Sequence, residues 1–259
     1  MNSEQLTKHF KSLGARVKFH PIDTPRPRAT RPPETTYIID VRTDKQGEYF
    51  DIAQGKNAPE FELLQIKPKS RHMLLYTHHG QRFLFGHDER HWFVAGIRDA
   101  VSTIRAAKQS LLPREIWEQV RHLSPDEVDN RRNAFFLRQG EWFFVPSNKE
   151  IPERMIHRNE PLQRTPRSKP HICQELYREG GELVYLVGNQ QYSEQEYQEQ
   201  KKRNPEFDQG RSVQTRIRNP RVYVRGYVKH DDHATLTLTK WHRVFINSEF
   251  TTSSVAFLD

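Results

Sequence analysis

The sequence contains a single cysteine, Cys173, and only three methionines. One cysteine cannot form an intrachain disulfide or supply a cysteine-rich zinc module, and such sparse usage is typical of a reducing compartment. The chain does not begin with a charged segment followed by an apolar run, and no stretch approaches the ~20 apolar residues that cross a bilayer. We therefore expect a cytoplasmic protein without a membrane partner.

Recognisable catalytic motifs are also missing from the sequence. There is no glycine-rich phosphate loop, Walker motif or dinucleotide fingerprint, and no serine or cysteine stands in a known nucleophile context. His122, His157 and His171 are accordingly interpreted as loop or surface residues rather than as catalytic bases. The sequence therefore favours a protein that binds rather than one that catalyses, with hydrolysis kept as an alternative.

Aromatic residues show that the chain folds despite its low hydrophobic content of 34%. Fifteen Phe, nine Tyr and four Trp residues are enough to build a core, and disordered chains have few of them. A length of 259 residues allows one large β-rich domain or two modest ones.

Short strands separated by turn residues dominate the sequence pattern. Hairpins are predicted around 44–47, 78–80 and 138–141, where glycine and polar residues interrupt the apolar runs. A helical stretch from Asp99 to Asn130 lies between them, and Ser124 begins its last helix with a capping box. We expect an α+β fold of predominantly antiparallel β hairpins, as a sheet or a partly open barrel, with a central helical segment and short peripheral helices.

Composition divides the chain into three regions. Residues 1–36 combine a short helix with a proline- and arginine-rich arm, because five prolines between Pro21 and Pro33 favour extended backbone. Residues 37–132 are predicted to form a β-rich unit plus the helical segment. Residues 133–259 are predicted to form a second β-rich unit with basic C-terminal strands.

The most informative pattern is an alternation of cations and tyrosines in the last third of the chain. In a β-strand, five of these residues lie on one face: Arg221, Tyr223, Arg225, Tyr227 and Lys229. Val222, Val224 and Val228 then lie on the other face, which we expect to be buried, and the strand should pair with the one that begins at His233. The tyrosine face is expected to be at least partly exposed to solvent.

Charge and residue type on this strand predict nucleic-acid binding. Guanidinium groups bind phosphates and flat rings stack on unpaired bases, so RNA or single-stranded DNA is favoured over duplex. The net charge is +8, and the segment 211–243 alone carries eight Lys or Arg against two Asp. The candidate nucleic-acid-binding residues are Arg216, Arg218, Arg221, Tyr223, Arg225, Tyr227, Lys229 and Arg243.

The function expected from this pattern is that of a nucleic-acid-binding factor or an accessory subunit of a nucleic-acid-handling complex. A protein partner is an alternative, because tyrosine, tryptophan and arginine are also enriched at interface hot spots. In that case the chain would be a protein–protein adaptor or an assembly protein.

Histidines near a hairpin bend suggest a second alternative. His230, His233 and His242 occur close to Asp231 and Asp232, and imidazole with carboxylate can ligate zinc or another divalent metal ion. A similar cluster spans His87 to His91, and neither matches a specific metal template. The alternative function is a metal-dependent nuclease or hydrolase, with a divalent metal as its cofactor.

Overall fold

The computed structural model describes residues 1–22, 37–88, 90–164, 168–188 and 190–249. Within these ranges the helices are α1 (Ser3–Ser12), α2 (Ile104–Ser110), α3 (Arg114–Val120), α4 (Pro125–Asp129) and α5 (Glu194–Arg203). None of these described helices is long and apolar enough to span a membrane. Most of the predicted proline- and arginine-rich arm, from residue 23 onward, lies outside the described residues.

Strands make up most of the regular structure. They are β1 (Val17–Pro21), β2 (Tyr37–Asp44), β3 (Gly47–Gln54), β4 (Phe61–Lys67), β5 (His72–Thr77), β6 (Arg82–Asp88), β7 (His91–Ile97), β8 (Leu137–Gln139), β9 (Trp142–Pro146), β10 (His157–Leu162), β11 (His171–Glu179), β12 (Glu182–Val187), β13 (Gln190–Ser193), β14 (Val213–Arg218), β15 (Arg221–His230) and β16 (His233–Ile246). These strands form four sheets. Among the described strands, no sheet closes into a barrel. The predicted α+β fold is therefore observed with open sheets.

The first two sheets and α1 form an N-terminal unit. One sheet has the order β1-β3-β2, and the other is the antiparallel meander β4-β5-β6-β7. Asn2 caps α1 by accepting a hydrogen bond from the backbone N–H of Gln5, which satisfies a donor that the helix leaves unpaired. The apolar face of α1 then places Phe10 against Phe50 and Phe85, with ring centroids 5.1 Å apart in both pairs. The helix is therefore part of the core of this unit.

The third sheet, here called the central sheet, is antiparallel throughout and has the order β10-β11-β15-β16-β9-β8. Its inner face, defined by Val224 and Val228, carries a core that also contains Leu176, Leu236 and Phe144. Its outer face is the opposite one. At the β9 end, the outer face is covered by α3 and α4 through a separate apolar cluster that includes Phe143.

The fourth sheet continues the central sheet as an arm, Glu182–Arg218, that carries β12, β13, α5 and β14. Glu179 of β11 is opposite Arg221 of β15, and three residues further along both strands Glu182 is opposite Arg218. The pairing register therefore passes unbroken from the central sheet into the arm. Gly180, Gly181 and Asn219 have positive φ angles at the junction, where both strands of the ribbon are interrupted.

Two of the predicted elements differ from the structure. The helical stretch from Asp99 to Asn130 consists of three short helices, α2 to α4, and the capping box at Ser124 is present. The sequence alternation also indicates two separate strands, 233–238 and 241–247. In the structure both segments belong to the single strand β16, which continues through an irregularity between Leu238 and His242. The predicted boundaries between the three regions of the chain stay a prediction.

Candidate nucleic-acid interface and histidine cluster

The basic strand β15 has the predicted face orientation. Val224 and Val228 are completely buried on the inner face, and Val222 is partly buried there. Strand β16 pairs with β15 from His233 onward, and its Thr237 lies opposite Tyr227. Tyr223, Arg225 and Tyr227 thus point to the outer face, because a slip of one residue would place these polar groups in the apolar core.

The burial of Tyr223 contradicts the prediction that both tyrosines of this strand are exposed to solvent. Only 7% of Tyr223 is accessible, because it packs with Tyr177 and Trp241 beneath Ile151 and Ile156. These two isoleucines belong to the segment between β9 and β10, which crosses the outer face. The prediction of a solvent-facing Tyr223 is therefore wrong, and this ring serves as packing.

Tyr227 remains partly accessible beyond the edge of that cover. Its hydroxyl donates a hydrogen bond of 2.7 Å to Oδ1 of Asn159, which fixes the direction of the ring. The exposed ammonium group of Lys229 lies 4.4 Å from the centre of the same ring, within cation–π range. The outer face consequently offers one oriented, accessible tyrosine next to a lysine.

Arg225 and Arg221 are held by carboxylates from β11. Nε of Arg225 donates to Oε2 of Glu175 at 2.5 Å, and Nε of Arg221 lies 3.4 Å from Oε1 of Glu179. In the part of the chain that the structure describes, Nη1 and Nη2 of Arg225 donate no hydrogen bond. Both side chains remain accessible, Arg225 to 37% and Arg221 to 58%. Each guanidinium is therefore oriented through Nε.

The carboxylates of these pairs are stabilised in their charged form. Hydrogen bonding from Arg225 lowers the pKa of Glu175, with the charges of Arg225 and Arg158 acting in the same direction. The hydrogen bond from Lys149 is the largest cause of the lowered pKa of Glu179. Both pairs therefore stay ionised at neutral pH.

The remaining predicted arginines lie on two other strands, β14 and β16. Arg216 and Arg218 are exposed on β14 of the arm, and Arg218 forms an ion pair with Glu182. Arg243 lies opposite Tyr223 on the outer face, with its guanidinium 4.5 Å from the ring centre of Phe245. The predicted set is thus divided between the central sheet and the arm.

Two of the three predicted metal-binding histidines come together, with a different third partner. His230 and His233 face each other across the hairpin turn, and His171 at the start of β11 joins them. One ring nitrogen from each of the three lies within 4.8 Å of the other two. The rings of His171 and His230 are stacked with centroids 4.2 Å apart.

His242 lies elsewhere on β16 and does not belong to this cluster. It is opposite Val224, it is 4% accessible, and its Nδ1 is 2.7 Å from the carbonyl oxygen of Lys240. Burial lowers the pKa of His242, so the residue is a neutral imidazole of the sheet interior. Its place in the predicted ligand set is taken by His171.

His171 carries buried polar atoms without hydrogen-bond partners among the described residues. The residue is 1% accessible, and neither of its ring nitrogens has a hydrogen-bond partner among the described residues. The same is true of Oε1 of Gln139 and Nε1 of Trp142, which oppose each other across the β8–β9 hairpin. Burial, with smaller contributions from His230 and His233, lowers the pKa of His171 to about 3. The imidazole is therefore neutral, and this corrects its interpretation as a loop or surface residue.

A cleft of about 290 Å³ lies between the N-terminal unit and the central sheet, and His230 and His233 line it. The second predicted histidine cluster contributes to the other wall. There Nδ1 of His91 is 2.6 Å from Oε1 of Glu48, and Asp88 forms an ion pair with Arg131. Glu89 of that cluster lies outside the described residues.

Strand β11 supplies three residues of the candidate sites that the sequence pattern did not identify: His171, Glu175 and Glu179. The segment is rich in polar residues, and the register shift between Cys173 and Glu175 interrupts the alternation that would mark a regular strand. Comparison of the chain with protein-family models, with curated proteins and with solved structures gave no match. Function is therefore inferred from geometry and charge.

Proposed function

We propose that the protein is a nucleic-acid-binding factor, alone or as an accessory subunit, that holds the phosphate backbone of single-stranded RNA or DNA on its outer face. The observation that carries this proposal is the orientation of Arg225 and Arg221 by Glu175 and Glu179. Glu175 accepts from Nε of Arg225 and Glu179 lies 3.4 Å from Nε of Arg221, so in both arginines the far end of the guanidinium, with one N–H from each Nη, is not used by the carboxylate. A phosphate bound by such an arginine receives parallel N–H donors without first ordering a free side chain.

An ordinary surface ion pair is the competing explanation for these contacts. Exposed pairs contribute about 0–1 kcal/mol to stability and often have no function. Here, however, the pairs occur on adjacent strands of one face, next to Tyr227. Cations exceed carboxylates in this region, which contains Lys149, Arg158, Arg221, Arg225 and Lys229 against Glu153, Glu175 and Glu179. This local excess supports attraction of a polyanion.

The burial of Tyr223 changes the expected mode of binding. With one accessible tyrosine, stacking contributes about 1–3 kcal/mol for a single base, and phosphate contacts supply most of the affinity. We therefore expect binding that depends strongly on salt and only weakly on sequence. The exposed Arg216 and Arg218 on the arm extend the cationic surface for a strand of sufficient length.

Fluorescence anisotropy of a labelled single-stranded RNA, measured over a series of salt concentrations, tests the proposal. Arg225→Ala and Arg221→Ala should each weaken binding and reduce the slope of log K against log salt by about 0.7. Tyr227→Ala should weaken binding with little change of slope. All titrations contain a chelator, so that they report only on the outer face.

Arg114→Ala is the matched control, because Nε of Arg114 also donates to a carboxylate, that of Glu118, on a different surface. It should leave both affinity and slope unchanged. Equal losses in the control and in Arg225→Ala would contradict the proposal. Wild-type protein that binds neither single-stranded RNA nor DNA at low salt would also contradict it.

A further inference from the structure

We infer that His171, His230 and His233 form a binding site for a transition-metal ion of the zinc class. The three residues come from the start of β11 and from both sides of the β15–β16 turn. Their mutual approach within 4.8 Å is the first observation behind this inference. The second is the wholly buried ring of His171, whose two nitrogens have no hydrogen-bond partner among the described residues.

The ring of His171 is difficult to explain as a packing residue. A buried polar group without a partner destabilises a fold by about 1–3 kcal/mol, and a leucine or phenylalanine would fill the same space without this cost. A metal ion accepts the lone pair of one ring nitrogen and so satisfies it. An ion also accounts for the stacking of His230 and His233 beside His171 rather than beside apolar side chains.

The donor set selects the kind of ion. Three imidazole nitrogens suit zinc, copper, nickel or cobalt, whereas magnesium and calcium prefer oxygen ligands. Zinc–nitrogen bonds of about 2.0–2.1 Å place tetrahedral ligand atoms roughly 3.3 Å apart. The three ring nitrogens, which lie within 4.8 Å of one another, would therefore have to move closer together to bind the ion. His230 and His233 are partly accessible and can supply it by side-chain rotation, whereas the buried His171 is fixed.

Gly140 keeps the space above the histidines open. A Cβ atom on this residue would lie 3.0 Å from Nε2 of His233 and 3.7 Å from Nε2 of His171. The residue also has φ of +57°, a conformation that most side chains disfavour. A side chain at position 140 would therefore crowd Nε2 of both histidines.

One contact fixes the tautomer of the neutral His230 ring. The backbone N–H of Asp232 donates to Nδ1 of His230 at 3.1 Å, so Nδ1 carries the lone pair and Nε2 carries the proton in the neutral ring. Ligation through Nδ1 would exchange this weak hydrogen bond for a metal bond. Because Asp232 is partly accessible at the turn, its N–H can then bond to water.

The fourth coordination position would face the cleft of about 290 Å³, since His230 and His233 line its wall. Three protein ligands with a fourth position open to water or a bound molecule is the arrangement of catalytic rather than structural zinc sites. The site lies on the inner side of β15, whereas Lys229 next to His230 points to the outer face. It is therefore independent of the proposed nucleic-acid contacts.

Calorimetric titration of chelator-treated full-length protein with zinc, in the absence of nucleic acid, tests the inference. Wild type should bind one equivalent, and cobalt should bind with the visible spectrum of a tetrahedral site. His230→Gln and His233→Gln should each lower zinc affinity by more than about 100-fold, since loss of a supporting contact alone costs 10- to 100-fold. Zinc should also raise the melting temperature of wild type and not of the variants.

His91→Gln is the matched control, because His91 lines the same cleft but contacts Glu48. It should bind zinc as wild type does. His171→Gln is the third ligand variant. If this substitution of a buried residue prevents folding, the His230→Gln and His233→Gln variants still test the inference. The inference is overturned if wild type binds neither zinc nor cobalt at one equivalent, if the His230 and His233 variants bind as tightly as wild type, or if His91→Gln loses binding equally.

Discussion

Gln174 occupies the space that any side chain at position 226 would need. A Cβ atom on Gly226 would lie 2.3 Å from Oε1, 2.8 Å from Cδ and 2.9 Å from Cβ of Gln174. Oε1 of Gln174 also accepts a hydrogen bond from the backbone N–H of Tyr227 at 3.1 Å. Both strands are irregular here, since the register between β11 and β15 shifts between Cys173 and Glu175. This contact therefore lies at the bulge, between the two outward-facing side chains of Arg225 and Tyr227.

Gly226→Ala should destabilise the protein by about 3 kcal/mol or more, because a backbone at φ +84° is strained for alanine and the new methyl group overlaps Gln174. Rotation of the Gln174 amide cannot remove the overlap with its own Cβ. Gly210→Ala is the control, with φ of +69° but open space around it, and it should cost only about 1 kcal/mol. Urea unfolding of both variants measures the loss in free energy of unfolding. Equal losses would show that only the strained backbone, and not the overlap with Gln174, matters at position 226.

Glu175→Ala should weaken binding of single-stranded RNA by about two- to tenfold, which corresponds to ordering one long side chain upon binding. The change removes a negative charge, so simple attraction between charges predicts the opposite result. Glu175→Gln is the control, because it removes the same charge and keeps an acceptor for Nε of Arg225. It should bind as well as wild type or better. Tighter binding by the alanine variant in anisotropy titrations would show that Arg225 acts only through its charge.

Cys173 should not react with a thiol reagent in the native protein. The residue is completely buried on the inner face, and burial raises its pKa to about 12, so the thiol is almost entirely protonated at pH 8. One thiol per chain should appear with Ellman's reagent when guanidinium unfolds the protein, and Cys173→Ala supplies the blank. Rapid stoichiometric labelling in native buffer would mean that β11 opens readily.

His242 should make the stability depend on pH below neutrality. Burial depresses its pKa in the folded state below the unfolded value of about 6.5, so the unfolded chain binds more protons as the pH falls below that value. Stability attributable to this residue is therefore complete above pH 6.5 and is lost below it, by at most about 1.4 kcal/mol per pH unit. Urea unfolding at pH 7.5 and 5.5 should show a smaller difference for His242→Gln than for wild type. The exposed His79→Gln variant should behave as wild type does, and identical pH dependence in all three proteins would contradict the assignment.

Local signals account for the elements that were predicted correctly. The β2–β3 hairpin has alternating apolar residues on both sides of a turn that ends at Gly47, and Ser124 begins α4 with a side-chain cap. The face orientation of β15 was also predictable, because a single register leaves Val224 and Val228 in the core. Each of these features depends on residues that are close together in the sequence.

Long-range packing explains what the sequence did not indicate. Strand β11 was not predicted, since its bulge places Cys173 and Leu176, three residues apart, on the same inner face and breaks the alternation. The cover over Tyr223 comes from Ile151 and Ile156, far away in the chain. Likewise, His171 reaches His230 only through the pairing of β11 with β15. Without the strand order, neither the buried tyrosine nor the third histidine can be foreseen.

The unbroken register between β11–β12 and β14–β15 has a consequence for how the chain can change in length. Inserting two residues into each of β12 and β14, at opposed positions, would preserve every existing pair and the face of every side chain, and would move α5 outward by about 7 Å. Deleting such pairs would draw it in by the same step. Paired insertions and deletions can therefore change the distance between α5 and the central sheet without any substitution in either of them.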